Sequence, residues 1–148
     1  MKRTVLHFSV RRYSEMSLEE MATRVEKALG CRFEKGELND GDAFIAHFLG
    51  LNVHLYDWRG LGDRVVFVLA SVLEEYGMLR GPGGEHVELE VQEIGDAISA
   101  LLAVREGGDW HPVSDEEVAA EREHGGRINE RFRRQEEEGA RRIKKRYR

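Results

Sequence analysis

From Thr4 to Val10 apolar and polar positions alternate, with Leu6, Phe8 and Val10 on one side and Val5, His7 and Ser9 on the other. A period of two is that of a half-buried strand. At Ser17 the period changes. Leu18, Met21, Ala22, Val25, Ala28 and Leu29 recur at helical spacing, while Glu19, Glu20, Arg24 and Lys27 fill the other side. Ser17 and Glu20 form a capping box that starts this helix, Met16 is placed to pack on Met21, and Gly30 can close the helix in the left-handed conformation. Residues 33–42 are polar, contain Gly36, Asn39, Asp40 and Gly41, and read as a loop.

Four β-favouring segments follow: Ala43–Leu49, Leu51–Trp58, Arg64–Leu73 and His86–Ile94. Glycine-bearing links separate them, and links this short favour antiparallel neighbours, because a parallel return takes about a dozen residues. Gly50 is either a tight hairpin link or a bulge in one long strand from Ala43 to Trp58. Asp96 is the expected N-cap of a second helix bearing Ile98, Leu101, Leu102 and Arg105, which Gly107 and Gly108 end. This order predicts an α+β fold, an antiparallel sheet of about five strands with two helices on one face.

At Ser114, which forms a second capping box with Glu117, the composition changes. Residues 1–113 hold 19 acidic and 12 basic side chains, and residues 114–148 hold 11 basic and 9 acidic ones with few apolar positions. The expected organisation is an α+β body over 1–113 and a charged, largely helical tail over 114–148. The body is long enough for one hydrophobic core. Its excess of negative charge disfavours nucleic acid and attracts basic proteins at long range. Cys31 is the only cysteine, which rules out an internal disulfide and points to a reducing compartment. With no run of 18 apolar residues, no membrane span is expected, and the expected location is cytoplasmic.

Catalytic and metal signatures are not found in this pattern. None of the six histidines pair at the i, i+4 spacing of a helical zinc site and there is no second cysteine, so no metal or cofactor is assigned. His47 and His54 would face each other only across a hairpin at Gly50. Cys31 follows the end of a helix rather than its start, so it reads as a small buried hydrophobe and not as a nucleophile. No serine lies in a Gly-x-Ser-x-Gly elbow, and the glycine clusters lack the residues of a phosphate loop. Glu88 and Glu90 alternate with Val87, Leu89 and Val91, the pattern of a strand with one solvated face. A non-enzyme is the expectation, and a catalytic reading would need His47, His54 and Asp57 to converge in one pocket.

One segment stands out. Leu51, Val53 and Leu55 share one side of their strand, and Asn52, His54, Tyr56 and Trp58 share the other. If the helices cover the first side, a polar-aromatic row is left opposite, and Tyr and Trp are enriched at binding hot spots. Asp57 at the strand end is grouped with Asn52, His54, Tyr56 and Trp58 as the candidate partner-binding set. The alternative is a row covered by the C-terminal tail or by another subunit. A second candidate is the terminal run Arg141, Arg142, Lys144, Lys145, Arg146 and Arg148, which suits contact with phosphates without sequence specificity.

The capped helix ending Ala28-Leu29-Gly30-Cys31-Arg32-Phe33, the strand pair around Phe48-Leu49-Gly50-Leu51-Asn52-Val53, and the segment Ile94-Gly95-Asp96-Ala97-Ile98 leading to Asp109-Trp110 carry a resemblance. Over residues 17–111 the chain resembles small acidic immunity-type proteins of bacterial polymorphic toxin systems. That resemblance implies a protein that binds and neutralises a toxin without catalysis, and it transfers no site residues. The expected function is a non-enzymatic protein-binding module for a partner with a basic surface. The alternative is a factor anchored to nucleic acid or ribonucleoprotein by its basic C-terminus.

Overall fold

The first strand does not run straight from Lys2 to Tyr13 but breaks at Phe8, and its two halves enter different sheets. The structure, a computed structural model, describes residues 2–38, 41–73 and 80–127 and divides the chain into two units, Met1–Val113 and Ser114–Arg148. In the first unit, β1 (Lys2–His7) pairs in parallel with β7 (Glu88–Glu93), while β2 (Ser9–Tyr13) joins a six-stranded sheet. Ser71 holds the break: its hydroxyl accepts from Phe8 N at 3.0 Å, and its own N–H donates to Phe8 O at 2.9 Å. Both backbone groups of Phe8 are thereby satisfied inside the core, as buried polar groups require.

The larger sheet has the order β3-β4-β5-β6-β2-β8, built from β3 (Glu34–Leu38), β4 (Gly41–Phe48), β5 (Leu51–Leu61), β6 (Arg64–Ser71) and β8 (His111–Pro112) around β2. All its neighbours are antiparallel. The α+β class is as the sequence predicts, and the details differ. The described residues form six strands in one sheet and a separate two-stranded ribbon rather than about five in one meander, with the two expected helices in the first unit and a third over residues 115–127 in the second. The stretch read as a loop contains β3, whose Glu34, Lys35 and Glu37 are exposed. Backbone pairing with β4, not side-chain burial, makes it a strand. Gly50 is a hairpin: Leu49 and Gly50 are its two central residues, with φ of 55° and 74°, the signs that suit the twist of the flanking strands.

Helix α1 (Leu18–Leu29) starts where the Ser17 hydroxyl accepts from Glu20 N at 3.2 Å and stops at Gly30 with φ of 69°. Its buried Leu18, Met21, Ala22, Val25, Ala28 and Leu29 meet Val10, Leu51, Val53, Leu55, Phe67 and Leu69 of the sheet, together with Ile98 and Leu102 of α2 (Gly95–Arg105). Both helices therefore lie against the same sheet face. Asp96 is not the N-cap of α2. Ile94 occupies that position without a side-chain cap, because its side chain has no acceptor; its N–H is donated to His7 O at 2.8 Å, so the ribbon sets where the helix begins.

One buried carboxylate ties this layer together. Glu106, whose side chain is 1 % exposed, lies 3.0 Å from Arg12 Nε and 3.4 Å from Arg24 Nη1, and accepts from Trp110 Nε1 at 2.8 Å and Gly108 N at 3.0 Å. The N–H of Arg12 Nε is not aimed at the oxygen, so this contact is charge attraction more than a hydrogen bond. Gly108 makes room for it. A Cβ there would lie 1.7 Å from Arg12 Nε, so Gly108→Ala must push the guanidinium off the carboxylate. We expect a loss of about 1–3 kcal/mol, the usual cost of overpacking a filled site, read from the shift of the urea midpoint.

In the second unit, residues 115–127 are helical. The capping box there is reciprocal: Glu117 N donates to the Ser114 hydroxyl at 3.1 Å, and Ser114 N donates to Glu117 Oε1 at 3.0 Å. Arg127 and Glu123 pair one turn apart. No helix among the described residues is long and apolar enough to cross a membrane. The basic run Arg141, Arg142, Lys144, Lys145, Arg146 and Arg148 lies outside the described residues.

Candidate protein-interaction face

Alternation along β5 sorts its side chains as its sequence predicts. Leu51, Val53 and Leu55 are buried on the helix side, and Asn52, His54, Tyr56 and Trp58 are half-buried on the other. Tyr56 and Trp58, two residues apart, meet edge to face with ring centroids 6.0 Å apart. Directly opposite residues of antiparallel strands share a face, so the register extends this row across the sheet. Trp58 stands beside Val66 and Val66 beside Tyr13, while Tyr56 stands beside Val68 and Val68 beside Arg11. Beyond Arg11 comes His111 of β8, whose ring stacks on Tyr13 with centroids 5.8 Å apart. Arg64 lies over the other side of that cluster, its guanidinium carbon 5.2 Å from the Tyr13 centroid. Two aromatic pairs thus flank the buried valines Val66 and Val68.

A bulge follows Trp58. Between Trp58 and Leu61 the register against β6 shifts, and Gly60 takes a φ of 80°. Such an insertion bends a strand and re-aims the side chains beside it. Arg59, at the bulge, donates to Asp57 Oδ2 at 2.9 Å and to Met16 O at 3.3 Å.

Of the five residues grouped from the sequence, the fold brings four together. Asn52, His54, Tyr56 and Trp58 share the face, but the same alternation carries Asp57 to the helix side, where it is paired with Arg59 and 16 % exposed. His47 and His54 do share a face, but diagonally: His47 is opposite Asn52, and His54 is opposite Ile45. His47, His54 and Asp57 therefore do not converge. Among the described residues, no three His, Cys, Asp or Glu side chains converge as a metal site would require. Burial pushes the Cys31 thiol above its usual range, so it is less ionised than a free thiol near neutral pH. Tyr13, Arg11, Arg64 and His111 were not singled out from the sequence. For Arg11 and Tyr13 the signal was the continuation of the first alternation past Val10, which puts Ser9, Arg11 and Tyr13 in one row.

No protein-family model matches the chain, and no curated protein or solved structure matches it. The face is therefore read from its own chemistry. On β5, β6, β2 and β8 none of its positions carries a carboxylate, and Arg64, His54 and His111 give it cationic or neutral character, while Arg11 is buried and donates to Ser9 Oγ at 2.9 Å and Val10 O at 3.1 Å. Many of the exposed acids lie elsewhere, among them Glu19 and Glu20 on α1, Glu37 and Asp42 on the β3–β4 hairpin, and Glu88, Glu90 and Glu93 on β7, while Asp63 in the β5–β6 turn and Asp109, which accepts from Tyr13 N at 3.2 Å, border the face. Pro112, Val113, Gly95 and Asp96 line a shallow cavity of about 350 Å³ with His7, Ser9 and Glu93, in which His7 Nδ1 lies 2.8 Å from Glu93 Oε1.

Proposed function

We propose that this protein is a non-enzymatic binding module that meets a protein partner through the sheet face bearing Asn52, His54, Tyr56 and Trp58. The observation that carries this reading is the clustering of Tyr56 with Trp58 and of Tyr13 with His111 on the sheet face opposite α1 and α2. Large amphipathic rings on a rigid sheet supply contact area with little entropy to lose on binding. The net charge of −7 over residues 1–113, carried mainly outside this face, adds long-range attraction for a basic partner, and the face itself supplies aromatic contact rather than charge. A toxin-neutralising role of the immunity type is the specific form that the resemblance suggests. Capture on the immobilised full chain tests it. A specific protein is retained at low salt and released as salt rises, since charges more than about 10 Å apart are screened near 0.1 M. Retention of no protein at low ionic strength contradicts the proposal.

A second reading rests on the six positive charges within the last ten residues, an anchor for RNA or DNA. Removal of residues 141–148 then abolishes binding to a generic single-stranded RNA in a filter assay. Binding that survives the truncation removes this reading, as does a full chain that binds no nucleic acid.

A further inference from the structure

Among the described residues, the outer edge of the two-stranded ribbon is acidic and has no strand beside it. β7 pairs only with β1 among the described residues, and a two-stranded pair is marginal in water without a third strand or a covering layer. Ile94 N donates to His7 O, and backbone groups alternate in direction along a strand. Glu88, Glu90 and Gln92 therefore turn their N–H and C=O groups toward β1, while Leu89, Val91 and Glu93 turn theirs outward. The side chains alternate as well. Glu88, Glu90 and Gln92 are exposed on one face of the ribbon, and half-buried Leu89 and 43 % exposed Val91 lie on the other.

We infer that the outer edge of β7 accepts an extended segment of a partner protein in which basic and apolar residues alternate. The outward backbone groups supply the ladder, as in other strand-addition complexes. The guest's basic residues lie beside Glu88 and Glu90, and its apolar residues lie beside Leu89 and Val91. Charge decides against the symmetric alternative. A second copy laid antiparallel on this edge through its own β7 would set Glu90 against Glu90 or Gln92 and give neither glutamate a cationic neighbour, so it lacks the attractive cross-strand pairs that a basic guest supplies. This surface is separate from the aromatic sheet face, so either can fail without the other.

The test uses the full-length protein and a short soluble peptide alternating lysine and valine, followed by amide hydrogen exchange. Alone, the protein exchanges the amides of Leu89, Val91 and Glu93 quickly and those of Glu90 and Gln92 slowly. The peptide slows the first three. Val91→Pro removes an outward N–H and leaves the bonds to β1 in place, so it weakens peptide binding about tenfold or more. The pair Glu88→Gln and Glu90→Lys acts in the same direction, since it removes one attractive cross-strand pair and makes the other repulsive without setting a lysine against Lys2 of β1. Circular dichroism of both variants stays that of the parent. Three results overturn the inference: slow exchange at Leu89, Val91 and Glu93 before peptide is added, equal binding of a glutamate–valine peptide, or a dimer in sedimentation that Val91→Pro dissociates.

Discussion

Replacing Glu106 with alanine is expected to cost about 3–5 kcal/mol of stability, the range seen when one partner of a buried ion pair is removed. A domain of this size holds about 5–15 kcal/mol in all, so the variant should be close to unfolding at 37 °C. The reason is geometric. Glu106 is sealed in, with Arg12 and Arg24 as countercharges and with Trp110 Nε1 and Gly108 N as donors. Without it the Arg12 guanidinium, which is only 11 % exposed and whose Nε and Nη1 already lack well-aligned acceptors, becomes an unpaired buried charge. The Trp110 indole N–H and Gly108 N also lose their acceptor. The loss is carried by the link from the end of α2 to α1 and β2, so it should appear as a lower urea midpoint with little change in slope. A change below about 1 kcal/mol would mean that the carboxylate is solvated rather than paired.

The second large effect is on binding. Tyr56→Ala and Trp58→Ala are each expected to weaken the protein partner by about 2 kcal/mol or more, near thirtyfold in Kd, as truncation of a central aromatic anchor does. Stability should move less than affinity, because both rings are on the face away from α1 and α2 and only half-buried. Asp57→Ala gives the contrast. That side chain is on the helix side and paired with Arg59, so its loss should leave affinity nearly unchanged. If all three substitutions weaken binding alike, the sheet face is not what the partner reads.

Much of this architecture was legible in the residues themselves. Both capping boxes, Ser17 with Glu20 and Ser114 with Glu117, mark helix starts that the hydrogen bonds bear out, because cap chemistry is local. The alternation of Leu51 to Trp58 gave the correct faces, because each strand position has only two directions to point. What failed was non-local. Glu34–Leu38 carries no apolar signal, and it becomes a strand only by using the backbone groups of β4. The alternation from Glu88 onward indicated a strand but not its partner. β7 turned out to be the parallel neighbour of β1, a pairing across more than eighty residues. The first strand gave no sign of breaking at Phe8, since the break depends on a serine hydroxyl that arrives from position 71. The same limit hid half of the candidate face, as Tyr13 and His111 come together only once β2 and β8 are paired.

The most direct test of the central claim is site-specific photo-crosslinking from the sheet face. A photoreactive phenylalanine analogue at position 58, and separately at Lys27 on the exposed side of α1, would be activated after mixing with the captured partner. An adduct with the partner from position 58 and none from position 27 is the result predicted here. Adducts from position 27 alone, or from neither position although the partner stays bound, would contradict it.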